Sequence, residues 1–345
     1  MDKIAIFAVI ARFSDRCFFS IFALVLRNRS FQSVMRYRKG LIFAVAAIPV
    51  VFVLVFIASR MVTRPAVETV VGETAKSGLL RVGVEHALVS VTGDIATVFS
   101  RYYPDASIEL EPGSFESLFN GFLQGDLLAM LVSGEPGRYE VSLLESKGIA
   151  YRLEPVARDA VVCIVNAANP VESLCVEELG KIYTAQKTRW DEDAAEAGEI
   201  KAYLNNNDIR LQQLLLALAV PEENHLTAWH TGSDRELVRA VSREKGAVGI
   251  LSFSRVTALM ASDPVSSSFR VVPLCKKNGD VPVMPSQYNV YQGEYPLGYI
   301  VYYMYRKGRA LAAGFGAWLA DGGQKGFAES GLAPYKQPVR VINLN

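Results

Sequence analysis

Histidine and cysteine are scarce, with three His and four Cys among 345 residues. Cys17, Cys163, Cys175 and Cys275 form no C-x-x-C pair and have no histidine cluster beside them, so neither a zinc site nor a thioredoxin-like centre is suggested. They read as small buried apolar residues. A disulfide among Cys163, Cys175 and Cys275 is chemically permitted in an oxidising compartment. The sequence does not choose a pairing, and no bridge is expected. Net charge is also nearly absent, at +1, which gives no overall electrostatic reason to expect nucleic acid as a partner. No G-x-S-x-G elbow, H-E-x-x-H pair or P-loop occurs. An enzyme is therefore not expected, and no metal or cofactor is implied. The acidic run Asp191, Glu192, Asp193 reads as a solvated loop, and no fixed-period repeat is present.

Apolar residues, by contrast, make up half of the chain. The uncharged run Leu41–Ala58 would form a helix roughly 27 Å long, close to the roughly 30 Å of a bilayer core. Arg36, Arg38 and Lys39 precede it, and Arg60 and Arg64 follow it. The positive-inside bias favours a cytoplasmic N-terminus and a C-terminal domain on the other side of a bacterial inner membrane. The same charge-then-apolar order also suits a cleaved signal peptide. The run is longer than a usual h-region and lacks a small-x-small site, which favours an uncleaved single-pass anchor. Residues 1–40 form the cytoplasmic segment, with Met35 as an alternative start, and 59–77 read as a tether.

From Leu79 onward, short apolar runs alternate with amphipathic stretches, the pattern of an α/β domain with a largely parallel sheet. LLRVGV, ASIELEP, LLAMLV, AVVCIVN, IKAYLN and AVGILSFS read as strands. Helices are expected over VTGDIATVFSRYYP, over FESLFNGFLQG with Ser114 as N-cap, over Tyr139 to Lys147, over Val176 to Tyr183, and over DIRLQQLLLALAV and DRELVRAVSREKG.

Four blocks in order, YYPDASIELEPGSFESLFNGFLQGD, PVARDAVVCIVNAANPVESLCVEELGKIYTAQKTRW, EKGAVGI and FGAWLADGGQKGFAESGLAPY, carry a family resemblance. The segment Leu79 to Tyr335 resembles the PstS-like periplasmic phosphate-binding proteins of ABC transporters, in particular the divergent branch common in Bacteroidetes. The resemblance implies a two-lobed, type II-like periplasmic binding protein fold after one transmembrane helix. Lobe one would be 78–154 and 271–345, and lobe two 155–269. It also implies a small anion such as phosphate held between lobes that close by a hinge, and an inner-membrane transporter or other inner-membrane complex as partner.

Members of that family meet the ligand with a hydroxyl turn after the first strand, a Gly-Ser turn, and a hydroxyl-rich helix start in lobe two. In this sequence the first turn is Val84, Glu85, His86, Ala87; the second is Gly113, Ser114, Phe115; the third is Asn205, Asn206, Asn207, Asp208, just ahead of the helix that contains Arg210. Asp126, after Gly125, is a further candidate. Carboxylates at Glu85 and Asp208 in place of hydroxyls argue for weakened or altered anion recognition, because two like charges about 4 Å apart repel by several kcal/mol at intermediate dielectric. Ser114, Asn207 and Asp208 also serve simply as helix caps, and Thr231 to Asp234 read as the cap of a later helix. An alternative function follows, a binding-protein fold without ligand that serves as a periplasmic scaffold.

Overall fold

The structure is a computed structural model and describes residues 72–190, 192–220, 225–262 and 267–337. The apolar run 41–58, the Met35 start and most of the tether lie outside these residues. Among the described residues, no helix is long and apolar enough to cross a membrane.

The chain enters the fold at β1 (Gly78–Glu85), with Leu80, Val82 and Val84 buried. Helix α1 (Val89–Tyr102) buries Thr92, Ile95, Ala96 and Phe99, one stripe of a helical period. β2 (Ala106–Gly113) pairs parallel with β1 in a register that sets Glu85 opposite Gly113. Helix α2 (Phe115–Gln124) starts at Ser114, whose hydroxyl accepts the Ser117 N–H, as expected for an N-cap. A Cβ at Gly113 would stand 2.9 Å from Leu118, so glycine lets α2 pack close to the sheet. β3 (Ala129–Ser133) pairs parallel with β1 on its other side, with all five residues buried. Helix α3 is Arg138–Ser146.

β4 (Tyr151–Asn166) is a single 16-residue strand, although only its apolar second half reads as strand in the sequence. Its first half is charged and contains Pro155, which lacks an N–H for the ladder. A register shift absorbs that proline: Val301 lies opposite Ala157, but Tyr302 lies opposite Pro155. From Val161 on, β4 belongs to a second sheet.

That sheet follows α4 (Val176–Tyr183), which is preceded by the two-residue β5 (Leu174–Cys175). It contains β6 (Lys201–Asn205), β7 (Trp229–Thr231) and β8 (Ala247–Ser252), mutually parallel in the order β8, β6, β7. β8 lies antiparallel to residues 161–165 of β4. Helix α5 (Ile209–Ala219) connects β6 to β7, α6 (Asp234–Arg243) connects β7 to β8, and α7 (Phe253–Ser262) follows β8. β9 (Phe269–Val271) covers the other side of β4, and β10 (Leu274–Cys275) pairs parallel with β5.

The β5–β10 register places Cys275 opposite Cys175, and the two form a disulfide. This corrects the expectation of unbridged cysteines. The partners are 100 residues apart, and only strand pairing brings their Cα atoms to 4.4 Å, within bonding range. Cys163 is buried and free.

The chain then passes α8 (Gln287–Gln292) and returns to the first sheet as β11 (Gly298–Arg306), antiparallel between β3 and the first half of β4. α9 (Ala310–Leu319), α10 (Gln324–Glu329) and β12 (Ala333–Pro334) complete that lobe, with β12 paired to β4 at Ala157 and Arg158. The first sheet runs β2, β1, β3, β11, β4. The change of sheet inside β4 lies between Ala160 and Val161, not at Pro155, and β10 stays with the second lobe beyond Phe269.

Candidate functional site

A cavity of about 420 Å³ opens at the carboxyl ends of both sets of parallel strands, the position where open α/β sheets bind ligands. Glu85, Gly113 and Ser133 end β1, β2 and β3, while Asn205 and Ser252 end β6 and β8; all five line it. Three helices begin at its wall: α2 after Ser114, α5 after Asp208 and α6 after Ser233. Each N-cap side chain accepts a backbone N–H of its own helix. Ser114 takes that of Ser117, Asp208 that of Leu211 at 3.0 Å, and Ser233 that of Glu236. The loops before α5 and α6 are cross-tied by Asn207 Nδ2 donating to the Gly232 carbonyl at 2.7 Å, and by Asn205 Nδ2 donating to Asp234 at 2.7 Å.

Glu85 is only 6% exposed. Its Oε2 accepts the Ser133 N–H at 2.9 Å, whereas its Oε1 is buried with no hydrogen-bond partner. Arg210, on the first turn of α5, reaches across the cleft to lobe one. It donates to the carbonyls of Ser133 and Glu135, and its guanidinium lies 4.4 Å from the centre of the Phe115 ring. Arg255 is held by Asp234 at 2.8 Å.

A match to the PBP superfamily domain runs over residues 68–322. The chain belongs to the PBP superfamily. It is 26% identical over 231 residues to protein SphX of Synechococcus elongatus, covering 64% of this chain and 66% of that relative's length. Similar solved structures include an ABC-type phosphate transport receptor from Vibrio cholerae (17% identity, 74% of this chain and 100% of that one, TM-score 0.58). Another is a protein from Clostridium perfringens solved with bound phosphate (18% identity, 75% and 100%, TM-score 0.59). At these identities the structural likeness shows the fold. The two-lobed α/β architecture implied by the sequence blocks is the one observed.

Of the residues singled out by sequence in this PBP-superfamily domain, Glu85, His86, Ser114, Asn207, Asp208 and Arg210 line the cavity. Two do not. Asp126 is exposed in the turn before β3, at the opposite end of the strand from Ser133, because the site gathers strand C-termini and Asp126 precedes an N-terminus. Asn206 is exposed and outside the lining, its N–H donated to the Thr231 carbonyl. Ser233, read from sequence with Asp234 as a cap alone, does cap α6, and both residues also line the cavity.

Sequence reasoning missed Ser133, Ser252, Arg255 and Tyr299. The first two sit at strand C-termini, so the strand-end rule was a usable signal. Tyr299, at the start of β11, has none. Burial pushes its pKa well above the usual range, and the charges of Asp159, Asp208 and Glu85 and a hydrogen bond to Asp159 act in the same direction. Asp159 is itself buried and satisfied by the Ala160 N–H and by Ser254, whose hydroxyl donates at 2.6 Å.

Four carboxylates, Glu85, Glu116, Asp208 and Asp234, face two guanidiniums, Arg210 and Arg255, in the cavity wall. Burial is the largest influence on the two acids that replace hydroxyls. It raises Glu85 to about 7, against the opposing Ser133 hydrogen bonds and the Arg210 charge. It raises Asp208 to about 6. A carboxyl near 7 is about half protonated at neutral pH and can then donate a hydrogen bond as a hydroxyl would.

Proposed function

We propose that this chain is the solute-binding protein of an ABC-type transport system and that it holds a small oxyanion, phosphate or a related ion, between its lobes. The observation that carries this reading is the convergence of three helix N-termini, those of α2, α5 and α6, on one interlobe cavity. Unpaired N–H groups and aligned peptide dipoles make such starts favourable for anions. The fold shared with the two phosphate proteins of known structure supports the same ligand class. In this reading the run Leu41–Ala58 anchors the domain in a bacterial inner membrane, on the periplasmic side, beside an inner-membrane transporter. The Cys175–Cys275 bridge supports an oxidising compartment. Calorimetric titration of the full chain with phosphate, sulfate and a neutral sugar tests it. Phosphate should bind and the sugar should not; a cleft that takes none of the three would overturn it.

One observation favours a second reading. Arg210 is already engaged across the cleft, so the lobes are held together by the protein itself. That suits a periplasmic scaffold within an inner-membrane complex, and the same titration separates the two.

A further inference from the structure

Glu85 is the least satisfied polar group in the cleft. Ser133 (β3) engages its Oε2, and its Oε1 has no partner. Apart from the Ser133 hydroxyl, which also favours its ionised form, the groups packed around it are committed elsewhere. From α5, Arg210 is directed to the Ser133 and Glu135 carbonyls and to Gln213, and Asp208 accepts from Leu211. From β11, Tyr299 is engaged by a hydrogen bond with Asp159. From α2, Ser114 caps its own helix and Glu116 adds a like charge to the wall. In its own turn, His86 follows it, exposed. Across the cavity, Asp234 and Arg255 neutralise each other.

An ionised Glu85 would therefore face an incoming oxyanion with only the Arg210 charge, whose N–H groups are committed to Ser133, Glu135 and Gln213, to offset the repulsion. A proton on Oε1 turns that repulsion into a hydrogen bond. Oε1 is the position open to it, because Oε2 already accepts from Ser133.

We propose that the cleft takes its oxyanion together with one proton, shared between the ligand and Glu85 Oε1, so that anion uptake is coupled to proton uptake. This rests on the solute-binding reading above. A free carboxyl near 7 is mostly ionised at slightly alkaline pH, and the charge of a bound anion raises it further, so binding must draw a proton from solvent. Binding then weakens by up to about tenfold per pH unit above neutrality.

The test is titration of the full chain with inorganic phosphate at about pH 8 and about pH 9, where phosphate is predominantly the dianion. Two buffers of different ionisation enthalpy count the protons exchanged. The expected result is uptake of close to one proton per phosphate and up to about tenfold weaker binding at the higher pH. Glu85→Gln and Glu85→Ser, each checked for an unaltered melting profile, should abolish the uptake, whereas Asp208→Asn should retain it. Phosphate binding by the unaltered chain without proton uptake would overturn the coupling and leave the solute-binding reading standing. Uptake that survives both Glu85 variants, or disappears with Asp208→Asn, would overturn the assignment to Glu85. Absence of both phosphate and sulfate binding even at about pH 6, where Glu85 is mostly protonated, would remove the solute-binding reading itself.

Discussion

Arg210 Nε donates to the Ser133 carbonyl at 2.5 Å, joining the first turn of a lobe-two helix to the end of a lobe-one strand 77 residues earlier. The contact needs the residue after Ser133 to be glycine. Gly134 has φ +72°, and a Cβ there would lie 2.9 Å from Leu214 and 3.3 Å from the Arg210 guanidinium. A charge-assisted hydrogen bond is worth about 1.5–3 kcal/mol, and a partly desolvated cation over an aromatic ring about 0.5–2 kcal/mol. We expect Arg210→Ala to release the lobes and raise the radius of gyration in small-angle scattering, and Gly134→Ala to do so in part. An unchanged scattering curve for both would show that closure does not depend on this clasp.

Stability should depend on Glu85 in a defined pH window. Its folded pKa, about 7, lies above the ordinary value of 4.5. The protonated acid therefore contributes fully below about pH 4.5, and the contribution is lost as pH rises towards 7. The shift corresponds to about 3 kcal/mol at roughly 1.4 kcal/mol per unit. Asp208, raised to about 6, acts in the same direction. Between about pH 7 and pH 5 the melting temperature should gain from both groups, and Glu85→Gln should flatten the curve. An equally steep curve in that variant would place the titration elsewhere.

Restoring hydroxyls should strengthen phosphate binding. Glu85→Ser removes a buried acid beside the cavity. Asp208→Ser keeps a competent N-cap for α5 while removing its charge. The double variant should bind phosphate more tightly than the unaltered chain at about pH 8, by about five- to thirtyfold if about one to two kcal/mol of repulsion is relieved. Weaker binding in a folded double variant would mean that the carboxyls themselves are needed by the ligand.

The Cys175–Cys275 bridge closes a segment of 100 residues that contains β6, β7 and β8. Its removal by Cys175→Ser should cost about 2–5 kcal/mol of unfolding free energy, measurable in urea with and without reductant. If reductant leaves the unaltered chain unaffected and no thiols are protected from alkylation, the bridge does not form in solution.

The anchor proposal predicts an active C-terminal alkaline phosphatase fusion in a bacterial host, because that enzyme matures outside the cytoplasm. An inactive phosphatase fusion together with a fluorescent cytoplasmic reporter would place the domain on the other side.

What the sequence determined by itself was local. Ser114 and Asp208 are legible as caps because each bonds a backbone N–H three residues ahead. The strands are legible because a segment buried on both faces, such as β3, must be almost wholly apolar. The position of α4 follows from the same periodicity. The family blocks add the order of these elements and the approximate place of the cleft.

Tertiary structure alone decided what lies opposite what. Sheet register set Cys175 against Cys275. It drew one strand through both lobes despite Pro155, and brought Tyr299 into the same cavity wall as Glu85 and Asp208. It also turned Arg210 away from Asp208 and across the cleft, and left Glu85 Oε1 unpartnered. Caps and periodicity involve neighbours a few residues apart, so their energetics are written in short stretches of chain. The charge state and partners of a cleft residue depend on burial and on groups tens of residues distant, which only the packed lobes bring together.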